Sequence, residues 1–195
     1  MSEFTPPDRD ERTWLQTYTG KMFWPLNPRP EDIDIRDIAH ALSQEARYSG
    51  MTRFHYSVGQ HCLLASTIVA PEFQLLALMH DATEAYLKDI IRPIKRWDGM
   101  SLYLKAEEQM HHCIAKALDF SPKMPPEVKN ADNAMLGTER DALMAPPPKP
   151  WFQMVPPADV KIVRMYPEEV ENKFLIRYCE LRGIAIPPPP EWTRG

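Results

Sequence analysis

The chain has 195 residues, 23 of them basic and 27 acidic, for a net charge of -4; that length suits one buried core and is short for two full domains. It holds no basic run, so polymeric nucleic acid is not an expected partner. No apolar run approaches the roughly 20 residues of a membrane span, and "MSEFTPPDRDER" is acidic and polar where a signal peptide would be basic and then apolar, so no membrane partner and a cytoplasmic location are expected.

Residues 1–32 contain prolines and aromatic residues with little periodicity and read as an N-terminal arm packed on the body. Helical patterns then dominate from 33 to 183. In "DIDIRDIAHALSQEARY" the positions Ile35, Ile38, Ala39 and Leu42 form one apolar stripe. "YSVGQHCLLASTIVAP" predicts a second helix, with Ser57 and Gln60 in capping-box spacing and Pro71 closing it or opening the next. "PEFQLLALMHDATEAYL" predicts a third, "SLYLKAEEQMHHCIAKALDF" a long fourth, and "PPEVKNADNAMLGTERDALM" a fifth entered through proline. The Pro-rich run at 145–157 breaks the pattern as an irregular excursion. A last helix near "PEEVENKFLIRYCELRG" should stop at Gly183, and 184–195 reads as a loose tail. Few stretches alternate with period two. The expected fold is therefore all-α, an irregular bundle of about six helices. Cys62, Cys113 and Cys179 are odd in number and form no CxxC pair, which fits reduced thiols.

The informative residues are ionisable groups on apolar faces. His61 falls inside the stripe Val58, Cys62, Ala65, Ile68 and Val69 of the second helix. Ala77, His80, Asp81 and Glu84 share one face of the third. Asp132 lies among Val128, Ala131, Met135 and Leu136 in the fifth. A carboxylate there must be paired, protonated or bound to a cation, since burying it alone costs several kcal/mol. Two imidazoles and two carboxylates suit a divalent ion with positions open to water. The same four side chains also suit a metal-free His–Asp network. Two neighbours have bland readings as well: Glu84 and Lys88 are spaced as a surface i, i+4 pair, and Asp89 as a turn residue. His111 and His112, with Glu107 and Glu108 one turn before, read as an exposed charged face.

With His61, adjacent His80 and Asp81, and distant Asp132, the sequence resembles the HD-domain phosphohydrolases. Within them it is most similar to bacterial 5'-deoxynucleotidases and to phage relatives that act on deoxynucleoside triphosphates. The resemblance spans about residues 33 to 142 and rests on "YSVGQH", "HDATEAYLKDIIRPIK" and "KNADNAML". A phage or prophage version also carries a stretch like "TYTGKMFWPLNPRPEDIDIRDIAHALS". The resemblance implies that His61, His80, Asp81 and Asp132 hold one divalent ion (Co, Mn, Zn, Fe or Mg), with Asp81 and Glu84 as the catalytic carboxyl groups. Asp89 would accept from a sugar 3'-hydroxyl, while Arg47 and Lys95 would face the phosphate. Tyr48 stands where relatives usually carry Trp, and the spacing from Arg47 to His61 is one residue shorter than theirs. His55 matches no family position. The implied activity is cleavage at the α-phosphate of a deoxynucleoside 5'-monophosphate, giving deoxynucleoside and phosphate. Release of triphosphate from a deoxynucleoside triphosphate is the alternative at the same site, and a noncatalytic helical ligand-binding protein is the alternative from another class. Relatives imply a homodimer or larger homo-oligomer.

Overall fold

A computed structural model describes residues 5–151 and 155–194. The fold is all-α, apart from a hairpin in the arm whose two-residue strands β1 (Leu15–Gln16) and β2 (Met22–Phe23) pair antiparallel, Leu15 opposite Phe23. The helices are α1 (Ile35–Gln44), α2 (Val58–Ala65), α3 (Gln74–Met79), α4 (Glu84–Leu87), α5 (Arg92–Lys95), α6 (Ser101–Ala117), α7 (Pro126–Leu143) and α8 (Pro167–Arg182). Each segment expected from periodicity is helical. The third is split into α3 and α4, and α5 is a single turn whose four residues are too few to show a period.

Helix α1 starts where the Asp34 carboxylate accepts from the Arg36 backbone N–H, a standard N-cap. Its stripe of Ile38, Ala39 and Leu42 is fully buried against α8, α2 and α4. Helix α2 starts at Ser57, whose hydroxyl accepts from Gln60 N–H at 3.1 Å. Only that half of the expected capping box forms, because the Gln60 side chain instead donates to the Val163 carbonyl at 2.7 Å. The helix also stops earlier than expected, at Ala65, leaving Ile68 and Val69 beyond its end. Gly59 lets α2 approach closely: a Cβ there would lie 3.0 Å from Val170 Cγ1 and 3.1 Å from the Leu42 carbonyl. Helix α8 ends at Gly183, left-handed at φ 64, with Ile184 N–H reaching back to the Cys179 carbonyl in the closing pattern expected of a helix C-terminus.

The main core gathers α1, α2, α3, α6 and α8 around Ile38, Leu42, Val58, Leu78, Ile114 and Phe174. A smaller cluster of Tyr56, Ala65, Met135 and Leu143 joins α2 to α7. The arm reaches the core through Phe23, fully buried and stacked on Tyr86 of α4 with ring centroids 4.2 Å apart. The C-terminal segment is tethered where a loose tail was expected: Trp192 Nε1 donates to the Tyr18 carbonyl at 2.9 Å, and Arg36 donates to the Pro188 carbonyl at 3.0 Å. Of the Pro-rich excursion, residues 152–154 lie outside the described residues, and the described remainder has no helix or strand. All three cysteines are buried free thiols. No helix among the described residues is long and apolar enough to cross a membrane.

Candidate metal centre

Three separate stretches of chain deliver the candidate ligands, and a fourth the neighbouring cation. His61 comes from the middle of α2, and Asp132 from the second turn of α7. His80 and Asp81 come from the break between α3 and α4, where one continuous helix was expected. There the backbone tightens into i to i−3 bonds, Ala82 N–H to the Met79 carbonyl and Glu84 N–H to the Asp81 carbonyl. From this break His80 and Asp81 face His61 of α2, and Glu84 lines the same cavity as Asp81. Arg47 and Tyr48 come from a loop in which Tyr48 (φ 55), Ser49 (φ 52) and Gly50 (φ 75) are all left-handed. Two non-glycine residues held there carry strain, of order 1 kcal/mol or more each, that surrounding contacts must offset.

The ligand atoms converge. His61 Nε2 lies 3.1 Å from His80 Nε2 and 3.7 Å from Asp81 Oδ2, and His80 Nε2 lies 3.2 Å from the same oxygen. These three side chains offer atoms close enough to hold one metal ion. Asp132 Oδ1 stands beside both rings, 3.3 Å from His61 Nε2 and 4.0 Å from His80 Nε2, while Arg92 donates to its Oδ2 at 3.0 Å.

The donor set fits a cation. His80 Nδ1 is 2.8 Å from the Ala77 carbonyl, so it carries the proton and donates. His61 Nδ1 is 2.6 Å from Glu139 Oε1 and donates likewise. With Nδ1 donating outward, both rings therefore turn Nε2 toward the same point, the arrangement by which outer partners orient metal-binding imidazoles. The two Nε2 atoms and the Asp81 and Asp132 carboxylates need positive charge between them, as a proton on a ring or as an ion. The titration behaviour follows. Burial works against charge on His80, yet Asp81 raises its pKa well above the ordinary value. Burial pushes Asp81 up, but His80, His61 and Arg47 outweigh it and hold the carboxyl below its ordinary range. Asp132 is held low in the same way, chiefly by His61.

Of the group, Asp81 and Asp132 line a cavity of about 610 Å³, together with Arg47, Tyr48, Glu84, Asp89 and Lys95, among others. Arg47 is 9% exposed, its guanidinium 3.3 Å from Asp81 Oδ2 and 3.2 Å from Glu139 Oε2. Glu84 is 6% exposed, and its Oε2 has no hydrogen-bond partner. Burial, with the nearby Asp81 and Asp89, pushes its carboxyl up to about 9. Lys95 Nζ stands 3.6 Å from Glu84 and 2.8 Å from Glu107. The surface pairing open to Glu84 and Lys88 does not form: Lys88 reaches Glu45 instead, from a backbone with φ 73 and ψ 151 that redirects the chain into Asp89. His111 and His112 bond to the Pro122 and Glu108 carbonyls, and among the described residues they join no cluster able to hold a metal.

Of the cavity and support residues that escape sequence reasoning, three stand out. Arg92 and Trp151 line the wall from segments too short or irregular to show a period. Glu139, fully buried, is the third. It lies seven residues after Asp132 and four after Met135, hence on the same face of α7, but in "GTERDA" it reads as part of a solvated charge run.

Two curated proteins are similar to the chain. An uncharacterized Escherichia coli K12 protein, YfdR, is 36% identical over 175 residues, covering 88% of this chain and 97% of that protein. An uncharacterized Rhodobacter capsulatus protein is 32% identical over 133 residues, covering 64% and 67% respectively. No family model matches the chain.

Proposed function

The chain belongs to the family of the uncharacterized Escherichia coli protein YfdR, and for it we propose a metal-dependent phosphohydrolase that cleaves a deoxynucleoside 5'-monophosphate to deoxynucleoside and inorganic phosphate. The observation that carries this reading is the convergence of two imidazole Nε2 atoms with the Asp81 and Asp132 carboxylates, which line a cavity walled by Arg47 and Lys95. The resemblance of the His61, His80–Asp81 and Asp132 pattern to HD-domain phosphohydrolases supports it. His61, His80, Asp81 and Asp132 would hold one divalent ion, and mixed nitrogen and oxygen ligands suit Mn, Co, Fe or Zn best. Such an ion would supply a more acidic water for attack on phosphorus.

The chain's own residues supply the rest. Arg47, already beside Asp81, presents a guanidinium fork to phosphoryl oxygens next to the ligand set. Lys95 adds a point charge on the same wall. Water forms the new bond to phosphorus as the bond to the 5'-oxygen breaks, and the leaving oxygen needs a proton. Glu84 can give it, because a carboxyl raised to about 9 still holds its proton at neutral pH. Asp89 lines the same cavity and would accept from the sugar 3'-hydroxyl. Tyr48, its ring centroid 6.5 Å from that of Trp151, gives the base an aromatic wall. One observation favours the triphosphate as a second substrate class: Arg92 and Arg96 also line the cavity, adding cations beyond those that one phosphate needs.

The test is product analysis on metal-reconstituted protein. Deoxynucleoside mono- and triphosphates of all four bases are offered with Co, Mn or Mg, with Asp81→Ala as control. Phosphate from monophosphates, lost in the control, is the expected result. Triphosphate from triphosphates keeps the site and moves the substrate. No product from any of them would favour a noncatalytic binding protein.

A further inference from the structure

Four side chains point hydrogen-bond donors at the two oxygens of one buried carboxylate. Glu139 Oε1 receives Tyr56 OH at 2.9 Å and faces His61 Nδ1 at 2.6 Å, while Oε2 receives Tyr48 OH and, at 3.2 Å, Arg47 Nη2. Arginine can only donate, and an ionised carboxylate can only accept, at about four lone-pair sites. All four sites are taken, so the accounting closes only if His61 is protonated on Nδ1. From this we infer that Glu139 is a positioning residue: one carboxylate sets the tautomer of His61 and the direction of Arg47 and Tyr48, locking the metal-side imidazole and the cavity-wall cation to a common anchor.

The placement explains why the anchor sits on α7. Asp132 lies two helical turns earlier on the same face, so one rigid helix carries both a group beside the two imidazoles and the group that orients His61. It also accounts for the strained loop at 48–50, since the left-handed turn brings Tyr48 OH onto Glu139 Oε2 while Arg47 remains between Glu139 and Asp81. Glutamine could not replace this carboxylate. Its amide offers one acceptor oxygen and a donating NH₂, and that NH₂ would face either Arg47 or the imidazole Nδ1–H.

The test compares wild type, Glu139→Gln and Tyr56→Phe as full chains. Two-bond proton–nitrogen NMR of the metal-free proteins reads the His61 tautomer, and cobalt titration, followed by its visible absorption, reads affinity. Wild type should show the Nδ1–H form. Glu139→Gln should lose that single tautomer and bind cobalt 10- to 100-fold more weakly, the usual effect of removing an outer-shell partner. Tyr56→Phe removes one donor and leaves the carboxylate, so it should keep the tautomer and stay within about threefold in affinity. A folded Glu139→Gln that keeps both tautomer and affinity overturns the inference, as does a wild-type ring that carries no proton on Nδ1. Should Glu139→Gln fail to fold, the wild-type and Tyr56→Phe spectra decide by the same criterion. The cobalt arm rests on the metal reading above, but the tautomer arm does not. A wild type that binds no cobalt yet shows Nδ1–H would sink the metal and leave Glu139 as the anchor.

Discussion

In the proposed mechanism Glu84 would be useful to chemistry while nearly neutral for folding. A carboxyl with one partnerless oxygen, raised to about 9, is protonated at neutral pH and resembles an amide in shape and charge. Glu84→Gln should therefore leave unfolding free energy within about 1 kcal/mol of wild type, yet lower turnover of the preferred nucleotide by about 10²- to 10⁴-fold, the range expected for a lost general acid. Urea melts and steady-state rates on one preparation check both halves, and full turnover would remove Glu84 from the mechanism. What sequence could show at this scale depended on contrast. His61 stands out because its neighbours at helical spacing are Val58, Cys62 and Ala65, all apolar and buried. Glu139 is just as buried, but it is flanked in sequence by Thr138, Arg140 and Asp141. Its setting becomes visible only when α7 is placed against α2.

At the level of elements, α2 packs closely on both α1 and α8 at Gly59. A methyl at Gly59 would meet Leu42 backbone atoms at 3.1 Å, and a helix backbone does not give way as the end of a flexible side chain does. Gly59→Ala should cost about 1–3 kcal/mol, as overpacked cores do, and weaken metal binding as well, because His61 rides on the same helix. Chemical denaturation and cobalt titration test these together. The start of α1 responds to acid. Burial raises the Asp34 carboxyl, but the side-chain and backbone hydrogen bonds from Arg36, with Lys21 nearby, outweigh it and hold the group below the usual carboxylate value. Its folded pKa lies below its unfolded one, so its contribution is complete above about pH 4 and fades as pH falls through the folded value. Asparagine still caps a helix, so Asp34→Asn should cost roughly 1 kcal/mol at pH 7 through lost charge alone. The cost should shrink in acid; an equal deficit at pH 7 and pH 3 would contradict it. Helix identities were legible because each carries its own 3.6-residue stripe. The break between α3 and α4 was not, since "LMHDATEAY" contains no glycine or proline to mark it. The arm hairpin was hidden for another reason: two residues per strand are too few to alternate.

Across the whole molecule, the candidate ligands lie at positions 61, 80, 81 and 132, on three elements that the chain does not connect directly. His61 belongs to a helix shared by both apolar clusters, His80 follows Leu78 and Met79 of the main one, and Asp132 precedes Met135 of the smaller one. An ion held by all four would cross-link the two clusters through their polar seam. Without it, the seam relies on ion pairs among Arg47, Arg92 and the carboxylates. A ligand that binds only the folded state at about 100 times its Kd adds about 2.7 kcal/mol. For a chain of this size, that corresponds to a rise in Tm of roughly 5–10 °C. Cobalt or manganese should produce such a rise in wild type, and a chelator should reverse it. Asp132→Ala should retain the His61, His80 and Asp81 ligands but lose the link to α7, so its metal-induced shift should fall to less than half. A wild-type Tm that no divalent ion moves would leave the all-α fold intact and return the four side chains to a metal-free His–Asp network.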